Sequence, residues 1–249
     1  MCLLRHPPAY RRERFVEGLR AAGFAVQDRI ADPRPDDVLL IWNRYGPFHD
    51  EARRFERGGA AVLVAENQYL AGWLPGKWHA LAPGHHAGAG AVVDGGPQRW
   101  DALRLDLVPW RTNSSDVLIL GQRSIGEDGI ASPRGWAEAT QRRIGGRIRP
   151  HPGKHPPAVP LAEDVGRASA VVTWASSAAL IALALGVPVW FEMPRWIGAE
   201  AARPLAEFGA APKRDDAARL AMFRRLIWAQ WRVDEIEDGT AFRHLLRIE

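Results

Sequence analysis

The sequence predicts an α/β fold in two halves. Short apolar runs that read as buried strands alternate with stretches of helical periodicity, the pattern of parallel strands joined by crossover helices. That rhythm stops across residues 71–100 and restarts at Asp116. The chain has 249 residues, 47 % hydrophobic and 25 % charged. This composition excludes a disordered or fibrous chain and leaves core enough for one large domain or two small ones.

The first half opens on an apolar run at residues 2–5. Tyr10 to Ala22 has helical spacing, with Phe15, Leu19 and Ala22 on one face and Gly23 as its stop. Asp37 to Trp42 (DVLLIW) and Ala60 to Ala65 (AAVLVA) read as buried strands around a helix from Phe48 to Arg57, which Gly58-Gly59 ends. Residues 71–100 hold many glycines, several Trp and His, and little periodicity; they read as loops with room for one strand pair. Trp110 to Ser115 reads as a linker, which sets the expected domains at 1–111 and 112–249.

In the second half, strands are expected at Asp116 to Leu120, Arg147 to Arg149, Ala170 to Thr173 and Val187 to Phe191. Helices are expected at Pro133 to Ile144, Leu161 to Arg167 and Ser177 to Leu185. The tail reads as one long amphipathic helix over 215–236, capped by Asp215 or Asp216 and stopped by Gly239. Its apolar face carries Leu220, Phe223, Ile227 and Trp231, so it must pack on something, and the first domain is a candidate.

The formal charge is +4, and only three of the 33 basic residues are lysine (Lys77, Lys154, Lys213). A GC-rich coding sequence accounts for the arginine excess as a whole, while a pI near 9.7 permits a polyanionic partner. The lone cysteine, Cys2, excludes an internal disulfide framework and a cysteine-based zinc site. The longest apolar run, Ala178 to Phe191, is broken by Gly186 and Pro188 and falls short of the roughly 20 residues a membrane span needs. With no signal peptide visible, a soluble cytoplasmic protein without membrane association is expected.

In parallel α/β sheets, ligands bind beyond the carboxyl ends of the strands. Three segments of the second half follow such ends: 121–129 (GQRSIGEDG), 149–154 (RPHPGK) and 173–177 (TWASS). Ser176 and Ser177 open a helix, where free N–H groups and hydroxyls suit a phosphate; a plain serine cap is the alternative. His151 can donate to a phosphate oxygen, with Arg149 and Lys154 adding positive charge; a proline-rich loop with exposed bases is the alternative. Asp128 can act as general base for an acceptor hydroxyl, or simply form an Asp-Gly turn.

Gly121-Gln122 followed by Asp128, then Arg149-Pro150-His151-Pro152, then Thr173-Trp174-Ala175-Ser176-Ser177 and Gly186-Val187-Pro188-Val189, together resemble the nucleotide-sugar half of GT-B glycosyltransferases. The capsule-polysaccharide-synthesis type is the most similar. The sequence also resembles compact phage glycosyltransferases acting on hydroxymethylated DNA bases, which share a closing segment like Arg225 to Trp231 followed by Asp234-Glu235-Ile236. The motif resemblance spans residues 116–242; the first half matches only in general architecture. It implies a GT-B-like fold, two Rossmann-like domains facing a cleft, with the long C-terminal helix.

By that resemblance Gln122, Arg149, His151, Lys154, Thr173, Ser176 and Ser177 bind the donor, with Asp128 as catalytic carboxylate. The glutamate that grips the nucleotide ribose in many such enzymes is replaced by Ile181, so Glu192, Glu163 or Asp164 would have to substitute. No cofactor and no metal are expected, since the family meets the leaving diphosphate with cationic side chains and helix ends. The donor expected is a nucleotide sugar, first a UDP-sugar.

The first half would bind the acceptor. Glu66 rivals Asp128 as general base, and Trp42, Asn43 and Arg44 follow a strand and can stack on a sugar or a base. His6 reads as structural. His79, His85 and His86 lack an acidic partner at helical spacing, which argues against a metal. The glycine-rich run 84–96 lacks the Gly-Lys-Ser/Thr of a phosphate loop.

The leading expectation for the acceptor is a 5-hydroxymethylated pyrimidine in double-stranded phage DNA, tracked by Arg11, Arg12, Arg14, Arg53, Arg54 and Arg57, which places the protein in a host cytoplasm. A surface polysaccharide is the main alternative. A nucleotide-sugar epimerase and a non-catalytic nucleic-acid-binding protein of the same fold are the others.

Overall fold

Strands composed wholly of apolar residues have no solvent face, and the structure, a computed structural model, buries them on both sides. It describes residues 1–5, 9–85, 89–111, 116–153 and 158–248, the side chains of residues 5, 9 and 10 excepted. The chain begins β1 (Cys2–Arg5), α1 (Ala9–Ala21), β2 (Val26–Gln27), β3 (Val38–Trp42), α2 (Pro47–Arg57), β4 (Ala61–Asn67), β5 (Trp78–Pro83) and α3 (Gln98–Asp101). It continues β6 (Val117–Leu120), α4 (Trp136–Ile144), β7 (Arg147–Arg149), α5 (Leu161–Gly166), β8 (Ala170–Thr173), α6 (Ala178–Ala184), β9 (Val189–Phe191) and β10 (Arg203–Pro204). The tail is α7 (Asp216–Leu226), β11 (Gln230–Arg232), α8 (Val233–Glu237) and α9 (Thr240–Leu246).

These elements form two compact units. The first comprises Met1–Gly95, Ile125–Glu127 and Arg225–Glu249. Its six-stranded sheet has the order β11-β5-β4-β3-β1-β2, with β2, β1, β3 and β4 parallel and β5 antiparallel to both β4 and β11. Strand alternation divides the core. Cys2, Leu4, Val38, Leu40 and Leu63 pack with Phe15, Leu19, Ile236 and Phe242 on one face. Leu3, Leu39, Ile41, Val62 and Val64 pack with Ala52 and Phe55 on the other. Where α1 passes α8, a Cβ on Gly18 would lie 1.7 Å from the Ile236 carbonyl oxygen, so only glycine permits that approach.

The second unit comprises Gly96–Ser124 and Asp128–Arg224. Its five-stranded sheet, order β10-β9-β8-β6-β7, is parallel throughout. Ile119, Val172, Trp190 and Leu205 pack with Trp136 on one face, and every residue of α6 from Ala179 to Ala184 is buried.

Two expectations need correction. The tail is not one helix over 215–236. Asp215 does cap α7, accepting the Ala218 N–H at 2.9 Å, but helix gives way to strand at Gln230. β11 covers the open edge of β5, Trp231 enters the core, and the fully buried Gln230 accepts the Tyr69 N–H (2.8 Å) and the Leu70 N–H (3.3 Å) through its Oε1. Satisfying a sheet edge and two buried amides outweighs local helix propensity. The domain boundary also moves from 111/112 to 95/96, with residues 225–249 returning to the first unit. Segment 96–111 lies along the second unit, where the Val108 N–H donates to Ala184 O and the Arg111 N–H to Gly186 O. The remainder of the expected linker, residues 112–115, lies outside the described residues. Among the described residues no helix is long and apolar enough to cross a membrane.

Candidate functional site

In the second unit β7, β6 and β8 are adjacent and parallel, so the loops after Leu120, Arg149 and Thr173 leave the same sheet edge. Backbone contacts draw the first two together. The Gly121 N–H donates to Arg149 O at 2.8 Å, and a Cβ on Gly121 would stand 3.2 Å from that oxygen. Side chains knit the first to the third. Gln122 Oε1 accepts the Ala175 N–H at 2.8 Å and the Thr173 hydroxyl at 3.4 Å. Thr173, fully buried, accepts the Ser176 N–H at 2.8 Å, and Ser176 Oγ accepts the Ala178 N–H at 3.2 Å. Gln122 and Thr173 therefore shape this loop from behind, while Ser177 stands exposed at the head of α6.

His151 is exposed, and its Nδ1 accepts the Gly153 N–H at 2.9 Å. That bond puts the proton of the neutral ring on Nε2, leaving an N–H donor there. Local burial and then the positive charge of Arg123 hold its pKa below the usual histidine value, so the ring is neutral near pH 7. Arg149 does not offer its whole fork to a ligand: Nη1 is bound to Asp164 at 2.5 Å, and its side chain is largely buried. Asp164 also takes Arg147 at 2.5 Å. Burial pushes the Asp164 carboxyl up, but the hydrogen bonds and charges of Arg149 and Arg147 outweigh it and hold it below the usual carboxylate range.

Asp164 is thus a structural counter-ion and no ribose ligand, which corrects one expected substitute. Glu163 pairs with Arg167, and Glu192 accepts the Trp136 indole N–H at 2.7 Å. Ile181 is buried within α6. Asp128 is exposed in a turn that Gly129, at φ +84°, completes. Lys154, His6 and His86 lie outside the described residues.

In the first unit Glu66 and Asn67 end β4; Glu66 accepts the Tyr69 hydroxyl at 2.7 Å, and Asn67 accepts from Arg11 at 3.0 Å. Trp42 is half-buried, with the Arg11 guanidinium 4.8 Å from its ring and edge contacts to Phe15 and His79. Asn43 adopts a left-handed conformation (φ +59°), which asparagine tolerates better than most residues. Arg44 is no exposed acceptor contact. It is 3 % exposed, forks onto Glu56 at 2.5 and 3.0 Å, and donates to Gly84 O and to His49 Nδ1.

That last bond fixes the His49 tautomer. With Nδ1 accepting from Arg44, Nε2–H points to Glu127 Oε2 at 2.9 Å, while His85 Nε2 lies 3.3 Å from Glu127 Oε1. Nothing in the local spacing of Glu127 links it to His49 and His85, some 80 and 40 positions earlier, so sequence periodicity does not single it out. No group of three or more His, Cys, Asp or Glu among the described residues is arranged to hold a metal ion.

No protein-family model matches the sequence, and no curated protein matches it. Among solved structures the chain is similar to the Thermosulfurimonas dismutans KpsC beta Kdo 2,7 transferase, at 12 % identity and a TM-score of 0.57 over 99 % of each chain. It is also similar to the beta Kdo 2,4 transferase of the same KpsC, at 14 % identity and a TM-score of 0.55 over 90 % of each chain. The chain has a GT-B-like fold of two Rossmann-like units. At this identity the likeness speaks to the fold, and function rests on the site.

Proposed function

We propose that the protein is a glycosyltransferase that moves a sugar from a nucleotide-sugar donor to a hydroxyl of a glycan acceptor, as capsule-polysaccharide synthesis requires. The observation that carries this reading is the cross-linked edge of the second unit. Gln122 and Thr173 hold the 173–177 loop in place, and His151 offers a neutral Nε2–H donor on the loop after β7, beside the loop that carries Gln122. Groups fixed before the ligand arrives stabilise developing charge with little reorganisation. His151 and the Ser176-Ser177 segment then meet the phosphate of the donor, and Asp128 takes the proton of the acceptor hydroxyl as the new glycosidic bond forms, the sugar–phosphate bond breaks and the nucleotide leaves. The names of the two similar structures, both Kdo transferases, support the glycan acceptor.

Three of the six arginines expected to track a DNA backbone are engaged with other groups, which weakens the alternative acceptor. Arg12 pairs with Asp28, Arg14 with Glu237, and Arg54 with Glu51 and the carbonyls of Ile30 and Ala31. Side chains held in this way are less available to phosphates.

The test is a donor panel of UDP-, GDP- and CMP-sugars crossed with a panel of glycan acceptors and hydroxymethylcytosine duplex DNA, read by mass spectrometry. Transfer to a glycan is expected, with Asp128→Asn slowing it about 10²- to 10⁴-fold, the usual worth of a positioned general base. Glycosylated nucleosides from the DNA arm would replace the glycan reading. Absence of calorimetric binding for every nucleotide sugar would overturn the enzyme reading altogether.

A further inference from the structure

A cavity of about 340 Å³ opens in the first unit between the start of α1, the end of β4 and the start of β5, with Arg11, Arg14, Gln68, Lys77, Trp78 and His79 on its walls. The sheet register places it. Asn67, the last residue of β4, is paired with His79 of β5, so the cavity sits at the carboxyl-end edge of the parallel strands. Its volume is in the range of small-molecule sites.

Two kinds of group meet there. At the mouth are cations. Arg14 is offset by Glu237 at 2.7 Å, Arg11 is steered by its bond to Asn67, and no carboxylate among the described residues pairs with the exposed Lys77. Two of the wall residues also carry buried polar atoms without protein partners. His79 is 8 % exposed and its Nδ1 makes no hydrogen bond; Gln68 Oε1 is likewise buried and unbonded. Burial, then the charges of Arg11 and Arg14, push the His79 pKa down to about 4, so the ring is neutral. Phe15 stacks on it at 5.8 Å and Trp42 meets it edge-on at 5.6 Å, which fixes the ring in place. A buried acceptor left unsatisfied is costly, and a rigid one keeps its position until a donor arrives.

We infer that this cavity binds an anionic, polyhydroxylated ligand of monosaccharide size, whose oxyanion meets Lys77 and the arginines while its hydroxyls satisfy Gln68 Oε1 and His79 Nδ1. A sugar acid and a sugar phosphate both carry this chemistry. The site lies within one unit and requires no turnover, so it stands or falls apart from the transferase reading.

The experiment is calorimetry on the full chain at low salt, with no nucleotide sugar present. The probes are methyl glucuronide, glucose 6-phosphate, methyl glucoside and inorganic phosphate. At least one of the two anionic sugars is expected to bind at least about tenfold more tightly than the neutral glucoside and than inorganic phosphate, because charge and hydroxyls are both read. Glucuronide alone would assign a carboxylate ligand, and glucose 6-phosphate alone a phosphate ester. Lys77→Glu, at an exposed position that leaves folding untouched, should weaken the anionic sugar about tenfold or more. Gln68→Leu should weaken it several-fold and leave inorganic phosphate unchanged. Failure of both anionic sugars to bind, equal affinity for the neutral glucoside, or an unaltered Lys77→Glu variant would each overturn the assignment.

Discussion

The two units present sheet edges of the same topology, built in different ways. In the second unit the loops after β6 and β8 are tied by neutral hydrogen bonds, Gln122 to Ala175, Thr173 to Ser176 and Ser176 to Ala178, and charge enters at the end of β7, where Arg149 meets Asp164. Several polar atoms there are occupied with one another, and His151 Nε2 and the exposed Ser177 stand beside them among the described residues. In the first unit the edge is held by charge, through Arg44 on Glu56, and its cavity leaves Gln68 Oε1 and His79 Nδ1 without protein partners. A knitted edge suits one fixed constellation such as the donor phosphates, whereas unbonded polar atoms beside cations suit a ligand that completes the site. Fold likeness cannot show this difference, since both edges follow from parallel strands; it is visible only in which side chains are spent.

The contrast breaks first at Arg44. Its guanidinium is 3 % exposed, while the Glu56 side chain is 42 % exposed. Removing the carboxylate from a buried guanidinium should cost more than removing the guanidinium from a carboxylate that water reaches. Glu56→Leu is therefore expected to destabilise the protein by about 3 kcal/mol in urea unfolding, and Arg44→Met by less. Equal losses would show that the charge pair does not hold this edge.

The knitted edge is tested at Gln122. Gln122→Leu keeps the bulk and removes the acceptor of the Ala175 N–H, leaving that amide short of its partner. A loss of about 1–3 kcal/mol is expected. Donor affinity should fall while the first unit's binding of glucuronide or glucose 6-phosphate stays as it was. Loss of both would mean that the two edges do not act separately.

How much of this was legible follows the same division. Local signals carried the second unit well. VLIL, RIR and AVVT are strands where their apolar runs lie, and the expected helix at 133–144 forms from Trp136. The roles within its loops were less legible. Thr173 and Gln122 look like ligand contacts in sequence and in the structure also brace the loop, Thr173 buried and Gln122 half-buried, because a polar residue after a strand can serve either purpose. The first unit hid more. β5 lies inside the glycine-rich stretch, and β11 lies inside an apparently helical tail; each is fixed by its partner strand, separated by some 150 residues. Glu127 with His49 and His85, and Gln68 with His79, are likewise products of tertiary contact that no local period announces. The resemblance that named the motifs covered 116–242 and so was silent where long-range pairing decided the structure.

Per pH unit the smallest expected effect tests the first unit's edge directly, through His79. Free histidine gains a proton near 6.5, whereas in the fold His79 resists protonation down to about 4. Between those values the unfolded chain holds more protons than the folded one, so stability rises with pH and is lost as pH falls from 6.5 towards 4. One group of this kind contributes at most about 1.4 kcal/mol per pH unit in that window. His79→Phe retains the stack on Phe15 and removes the titration, so the wild type should lose stability relative to the variant steadily as the pH falls from 6.5 towards 4. Parallel curves would mean that His79 is protonated equally readily in both states, and the ring could not then serve as a neutral partner for a ligand hydroxyl. An anionic sugar bound in the cavity adds a further reading. If its hydroxyl bonds to neutral Nδ1 while its oxyanion sits on Lys77, the ligand should steady the protein at pH 7 in the variant as well, but less than in the wild type, because the cationic contact survives and the ring contact does not.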